Sequence, residues 1–280
     1  MKIVFTGLGG KAGSWHMRGV QMAATRPDWI AIPKATKADL VGADAVVLVK
    51  RAPKDTVAAI KAWGGPFLYE PLDFYDQPAS PEITNPQHVE RRFMDYFKWL
   101  LPDVVLTTNS AMASDLKMLC KKTVVLPHHY DPRIDGRCFR RKNKVLVYWG
   151  HPRYLGGWEA VATESCRALG LEFCVNPKDP SNCLLMFGVR GGKYGTWLDH
   201  RWKSCVKGST AMILGVPFLA QPDVSYVEHC GSHLVEVGEP GGLFSSMKMA
   251  LDVVEETKVS AQHSIGAVST KLEAVLVENF

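Results

Sequence analysis

No apolar run in this sequence approaches the roughly 20 residues that a membrane-spanning helix requires. The opening residues, Met1 to Gly7, also lack the charged stretch and the long apolar stretch of a secretory leader. A membrane span is thereby excluded, and a cytoplasmic location is expected. Also missing is any Cys-X-X-Cys pair: the seven cysteines are odd in number and scattered from Cys120 to Cys230. Neither a disulfide framework nor a zinc knuckle fits that spacing, and reduced thiols are expected. No combination of His, Cys, Asp and Glu has metal-ligand spacing, so no tightly bound metal is expected; a divalent ion arriving with a ligand stays compatible. Charge of one sign is in only slight excess, 33 Lys and Arg against 28 Asp and Glu, a formal +5. That balance suits an anionic ligand without identifying one.

What is present is a globular composition, 46% hydrophobic and 22% charged over 280 residues. That length predicts two α/β domains of roughly 120 to 150 residues each. The β-prone run Lys2-Ile3-Val4-Phe5-Thr6 ends in Gly7, Gly9, Gly10 and Gly13, after which Ser14 opens a helical pattern through Trp15, Met17, Val20 and Met22. Strand, Gly-rich loop and helix in that order open a Rossmann-like unit. Apolar runs at 43–49, 67–69 and 103–107 alternate with amphipathic stretches at 56–63 and 91–100, the signature of a parallel sheet. Between Pro71 and Pro86 four prolines and several Asp, Ser and Asn residues predict an exposed loop. The second half repeats the pattern: strands at 145–150, 172–175, 183–189 and 217–220, with helices near 158–169, 203–214 and 242–256. An amphipathic stretch at 264–277 closes the chain.

The constellation with the most chemical content is Arg190, Lys203, Lys207 and Glu228. Arg190 would stand just past the carboxyl end of a strand, where ligands of parallel sheets bind. Lys203 and Lys207, four apart at a predicted helix start, would add cations to a helix N-terminus, which favours phosphate. Three cations there would neutralise a departing diphosphate, and Glu228 would accept hydrogen bonds from a ribose diol. Spacing alone equally describes a solvated helix face. Candidates for a base that takes a hydroxyl proton are His16, Asp73, Asp76, His128 and His129. The Gly-rich start also fits a dinucleotide fingerprint, but the strand expected at 29–33 ends in Lys34 where that fold wants a carboxylate. The basic run from Arg137 to Lys144, with Phe139 inside it, could track a nucleic-acid backbone.

The run Lys203…Lys207-Gly-Ser-Thr-Ala…Leu214-Gly-Val-Pro…Tyr226-Val-Glu228 resembles the donor segment of GT-B glycosyltransferases. Gly13-Ser14-Trp15-His16-Met17-Arg18-Gly19-Val20-Gln21 is similar to the first loop and helix of bacterial and phage members, and His128-His129-Tyr130-Asp131-Pro132 with Tyr148-Trp149-Gly150 to their interdomain passage. The two glutamates, eight apart, of the common retaining families are replaced here by Trp202 and Thr210. The resemblance implies an α/β architecture of two Rossmann-like doubly wound domains facing a cleft. The expected domains are residues 1–130 on the acceptor side and 142–262 on the nucleotide-sugar side, with a helix in 263–280 crossing back. It implies a glycosyltransferase that moves a hexosyl or pentosyl group from a nucleotide-diphosphate sugar to a hydroxyl acceptor. The donor is then a co-substrate and not a resident cofactor. Donor contacts would come from Gly9, Gly10, Ser14, Gly150, Arg190, Lys203, Lys207, Ser209, Thr210 and Glu228. Acceptor contacts would come from Arg18, His128, His129, Arg140 and Arg141, with His16, Asp73 and Asp76 as catalytic candidates. Likeness to phage members points to a hydroxymethylated base in DNA as acceptor, which must leave the stack to react. A nicotinamide-dependent reductase or epimerase, and a non-enzymatic nucleic-acid-binding protein, are the rival readings.

Overall fold

A computed structural model describes residues 1–10, 13–73, 81–134 and 143–280. The chain divides into two compact units. The first comprises Glu82–Pro127, Ile265–Phe280 and the described residues before position 74; the second is built on His128–Ser264.

The first unit is a six-stranded parallel sheet of β1 (Ile3–Gly7), β2 (Trp29–Ala31), β3 (Ala45–Val49), β4 (Phe67–Glu70), β5 (Val104–Thr107) and β6 (Thr123–Val125), in the order β2-β1-β3-β4-β5-β6. β1 and β3 are unbroken apolar runs, Ile-Val-Phe-Thr-Gly and Ala-Val-Val-Leu-Val, buried at every position. Strands covered on both faces require such continuous patterns, and alternation would expose half of each. Strand order reverses at β1, with β2 on one side and β3 on the other, so the switch point lies beyond Gly7 and Val49. There a Cβ on Gly7 would come within 2.8 Å of the Val49 carbonyl oxygen, and one on Gly9, at φ +74°, within 2.4 Å of Pro33. Close backbone approach and positive φ account for the glycine run.

The predicted helix after this loop takes an unexpected form. A short α1 (Gly13–Trp15) passes into a π-helical stretch, His16–Gln21, that buries Arg18, Gly19 and Gln21. The Trp15 ring lies where a Cβ on Gly19 would stand, 2.7 Å away, so only glycine admits it. π-Helical turns concentrate at functional sites. The other helices are α2 (Lys54–Trp63), α3 (Pro86–Leu100) and α4 (Ser110–Leu116). α3 starts as local chemistry dictates: Asn85 accepts from the His88 N–H at 3.1 Å, and Pro86 fills the first turn. The proline-rich stretch is therefore not wholly an exposed loop, since Pro86 begins a helix and Leu72 and Ile83 are buried. Residues 74–80, which include Asp76, lie outside the described residues.

The second unit is a five-stranded parallel sheet of β7 (Val145–Tyr148), β8 (Glu172–Val175), β9 (Leu185–Gly188), β10 (Phe218–Ala220) and β11 (Leu234–Glu236). The order is β11-β10-β9-β7-β8. Helices α5 (Trp158–Ala168), α6 (Trp197–Trp202), α7 (Val206–Leu214), α8 (Val224–His229) and α9 (Leu243–Asp252) join the strands. The cores differ by face: Ala211, Met212 and Leu214 of α7 pack with Met186, Phe218 and Tyr226, whereas Trp158 and Ala162 of α5 and Met247 and Ala250 of α9 pack with Leu146 and Phe187. The last helix, α10 (Ile265–Asn279), belongs to the first unit, where Val268, Leu272, Val275 and Leu276 join the core of Ile3, Phe5 and Trp29. Each such burial contributes about 1.5–3 kcal/mol.

Candidate functional site

Strand order in the second unit reverses at β7, so its switch point lies between the carboxyl ends of β7 and β9. Ligands of doubly wound sheets bind in that crevice. Tyr148 ends β7, Gly150 follows two residues later, and Arg190 follows β9.

Arg190 is 7% exposed and heavily tethered. Its Nη2 lies 3.0 Å from Asp223 Oδ2, and its Nη1 donates to the Asp199 carbonyl at 3.2 Å. Its main-chain N–H donates to Gln221 Oε1 at 2.7 Å, and its carbonyl accepts from Trp158 Nε1 at 3.1 Å. Burial works against the guanidinium charge, but Asp223, Tyr226 and Asp199 outweigh it, and the pKa moves up. The second Asp223 oxygen, Oδ1, stands 2.6 Å from His200 Nδ1. Arg190, Asp223 and His200 thus form one connected array.

Lys207 sits differently. Its ammonium rests over the Tyr148 ring, 3.8 Å from the centroid, a cation–π contact. Among the described residues it makes no ion pair. Burial, then the charges of Arg190 and Lys203, hold its pKa well below lysine's ordinary range, with Asp223 opposing. The lysine stem also explains Gly150, where a Cβ would meet Lys207 Cε and Nζ, both at 3.2 Å, and Tyr148 Cε1 at 3.3 Å. A desolvated amine whose close charged neighbours include two cations lacks anionic charge, and a phosphate supplies it.

The helix predicted from Lys203 to Leu214 starts three residues later, at Val206, and a separate short helix precedes it. α6 begins in a capping box, in which Thr196 and Asp199 satisfy each other's backbone N–H, and Lys203 is its C-cap. α7 starts afresh at Val206, placing Lys207 in its first turn. Lys203 and Lys207 therefore do not share a helix start, although Lys203 stays near enough to act on Lys207 electrostatically.

Other predicted donor residues have structural occupations. Ser209 Oγ, fully buried, donates to the His128 carbonyl at 2.9 Å and lies 2.9 Å from His263 Nδ1. Thr210 Oγ1 donates to the Val206 carbonyl at 2.9 Å. Ser209 thus ties α7 to the chain at His128, and Thr210 bonds within α7 itself. Gly208 between them and Lys207 is bare because a Cβ would lie 2.2 Å from Cys230 Sγ. Glu228 is exposed on α8, 3.7 Å from His229 Nε2. His128 and His129 are buried, with Nδ1 atoms 2.8 and 2.7 Å from the carbonyls of His129 and Tyr130, so both rings are tied to the backbone. Arg140 and Arg141, and the basic run as a whole up to residue 142, lie outside the described residues.

In the first unit Gly9, Gly10, Ser14 and His16 gather after β1, with His16 exposed. Arg18, predicted to meet an acceptor, is instead 1% exposed, with Nη2 2.6 Å from Glu70 Oε1 at the end of β4. Its guanidinium is committed to Glu70 and, through Nη1 at 3.4 Å, to the Pro127 carbonyl. Asp73 Oδ1 lies 2.5 Å from Lys50 Nζ. Lys50 and Leu72, just past β3 and β4, hold φ of +62° and +66°, strain of the kind that collects at functional edges. β2 is followed by Ile32, Pro33 and Lys34, so no carboxylate stands where a dinucleotide ribose would need one. Sequence reasoning missed Tyr148, His200, Asp223 and Glu70. Asp223, three residues past β10, was open to discovery as a carboxylate just beyond a strand end.

No protein-family model matches the sequence, and no curated protein matches it significantly. Solved structures do. Anabaena HepE, in complex with UDP and glucose, is similar at 13% identity and a TM-score of 0.56, over 100% of this chain and 95% of that one. AviGT4, a glycosyltransferase involved in avilamycin A biosynthesis, is similar at 12% identity and 0.57, over 99% and 97%. A Listeria monocytogenes protein named as a UDP-N-acetylglucosamine 2-epimerase gives 12% and 0.55, over 99% and 96%. Two tandem parallel units, matched end to end by these structures, give the chain a GT-B glycosyltransferase-like fold.

Proposed function

We propose that this chain is a cytoplasmic glycosyltransferase that takes a sugar from a nucleotide-diphosphate donor, with the diphosphate held at the switch point of the second unit. The observation that carries the reading is Lys207, a desolvated amine over the Tyr148 ring, beside Arg190 and without an ion pair among the described residues. Such a group gains most from a multiply charged anion. Arg190 contributes from behind: its guanidinium is committed to Asp223 and fixes a positive potential that needs no reorganisation. Gly150 lets the backbone approach, and Glu228 takes the ribose diol. HepE was solved with UDP and glucose, which makes UDP the first nucleotide to try. Removal of the acceptor hydroxyl proton is assigned to His16, exposed at the head of the π-helical stretch.

The acceptor is a hydroxyl compound: the basic run at 137–144 suits a nucleic-acid backbone, and the likeness to phage members makes a hydroxymethylated base in DNA the acceptor to test. A thermal-shift screen over nucleotide sugars should give a rise with one UDP-sugar, and mass spectrometry of modified-base DNA incubated with that donor should show one added hexose or pentose. In the His16→Asn variant transfer should disappear while the UDP-induced shift stays. Stabilisation by NADPH in place of any nucleotide sugar would return the reductase reading.

A further inference from the structure

Tyr148 carries an unexplained polar atom. Its side chain is fully buried, and its hydroxyl has no hydrogen-bond partner among the described residues. Buried hydroxyls are almost always paired, because an unpaired one forfeits its water without compensation. The ring is packed on two sides. Lys207 covers one face, and Phe187 meets it edge-on with centroids 6.5 Å apart.

The position of the atom gives it meaning. Tyr148 is the last residue of β7, at the strand reversal, two residues before the bare Gly150. Its close electrostatic neighbours are Arg190 and Tyr154. Asp223, the acceptor in this place, is already committed to Arg190 and His200, and the Tyr148 phenol finds no acceptor among the described residues. We propose that the Tyr148 hydroxyl is a ligand-binding donor, hydrogen-bonding a phosphate oxygen of the nucleotide diphosphate beside Lys207. The proposal rests on the reading of the second unit as a nucleotide-diphosphate site and adds a residue to it. Burial pushes the phenol up to about 12, so the hydroxyl keeps its proton and can donate at any physiological pH.

The test is Tyr148→Phe in the full chain, with calorimetric affinities for UDP and for uridine, and the melting temperature without ligand. UDP affinity should fall about tenfold, as for one lost hydrogen bond to a charged group. Uridine binding should not change, and the ligand-free melting temperature should hold or rise, since no protein partner is lost. Equal UDP affinity in variant and wild type overturns the proposal and leaves the diphosphate site standing. An equal loss for uridine, or a marked fall in ligand-free melting temperature, overturns it too, by showing a structural role. Failure of wild-type protein to bind UDP or inorganic pyrophosphate removes the underlying reading and the proposal with it.

Discussion

Lys207→Ala should weaken UDP binding by about 30- to 150-fold, the roughly 2–3 kcal/mol of a charge-assisted hydrogen bond, without lowering the melting temperature of the ligand-free protein. The two halves of this expectation have one cause. Lys207 is desolvated and has Arg190 and Lys203 for neighbours, so the free protein holds its ammonium at a cost. Because the folded-state pKa is depressed, the unfolded chain binds a proton that the folded chain lacks. The cost is therefore fully present below the folded pKa and fades as pH rises toward lysine's ordinary value. Alanine removes it. A bound diphosphate reverses the balance by favouring the charged amine, against the same surroundings of Arg190, Lys203, Asp223, Tyr148 and Tyr226. Wild-type binding should take up protons at pH values above the depressed pKa, and affinity should fall as pH rises there. Calorimetric titrations in buffers of unlike ionisation enthalpy measure the uptake, and in Lys207→Ala that uptake should be gone.

The second large effect lies in the first unit. Arg18→Leu should destabilise it by roughly 3–5 kcal/mol, because Glu70, 2% exposed, is left as an uncompensated buried charge. For a unit of this size that amounts to a fall of roughly 6–20 °C in its melting transition. Burial already raises Glu70, against the opposing pull of Arg18. For an acid raised in the folded state, the native form binds the extra proton, so stability is greatest below the unfolded pKa and is lost as pH rises through the folded one. Loss of Arg18 raises Glu70 further. The deficit of Arg18→Leu measured by thermal denaturation should therefore shrink from pH 8 toward pH 5 (on the order of one pKa unit is 1.4 kcal/mol). Adding Glu70→Leu should recover most of the stability, since an apolar pair replaces a buried ion pair at little cost. An Arg18 that served an acceptor, with no structural task, would leave the melting temperature untouched.

Much of this architecture was legible because it is periodic or covalently forced. The strand cores of β1, β3, β7 and β9 are apolar runs bounded by glycine or polar residues, and each was readable as such. The glycine-rich turn after β1 announced close backbone approach, which Gly7 and Gly9 show. Arg190 and Lys207 could be singled out because cations beyond strand ends and near helix starts have a physical use. What the sequence hid depends on partners distant in the chain. Nothing local marks Arg18 as the buried mate of Glu70, 52 residues on, and the resemblance set it among the acceptor contacts instead. Ser209 and Thr210 looked like phosphate ligands beside Lys207, but a hydroxyl on a helix buried on every side is taken by the nearest carbonyl. Neither the short helix α6 nor the π-helical form of His16–Gln21 leaves a periodicity strong enough to read. Tyr148 read only as part of a strand and of the passage through Gly150, because an unsatisfied hydroxyl is a property of surroundings and not of order.

The central claim is that the strand reversal of the second unit grips a nucleoside diphosphate. A crystal of the protein grown with UDP tests it most directly. Diphosphate oxygens should lie within hydrogen-bond distance of Lys207 Nζ and the Tyr148 hydroxyl, beside Gly150. Well-defined UDP seated away from Lys207, with that amine still over its aromatic ring and touching no phosphate, would contradict it.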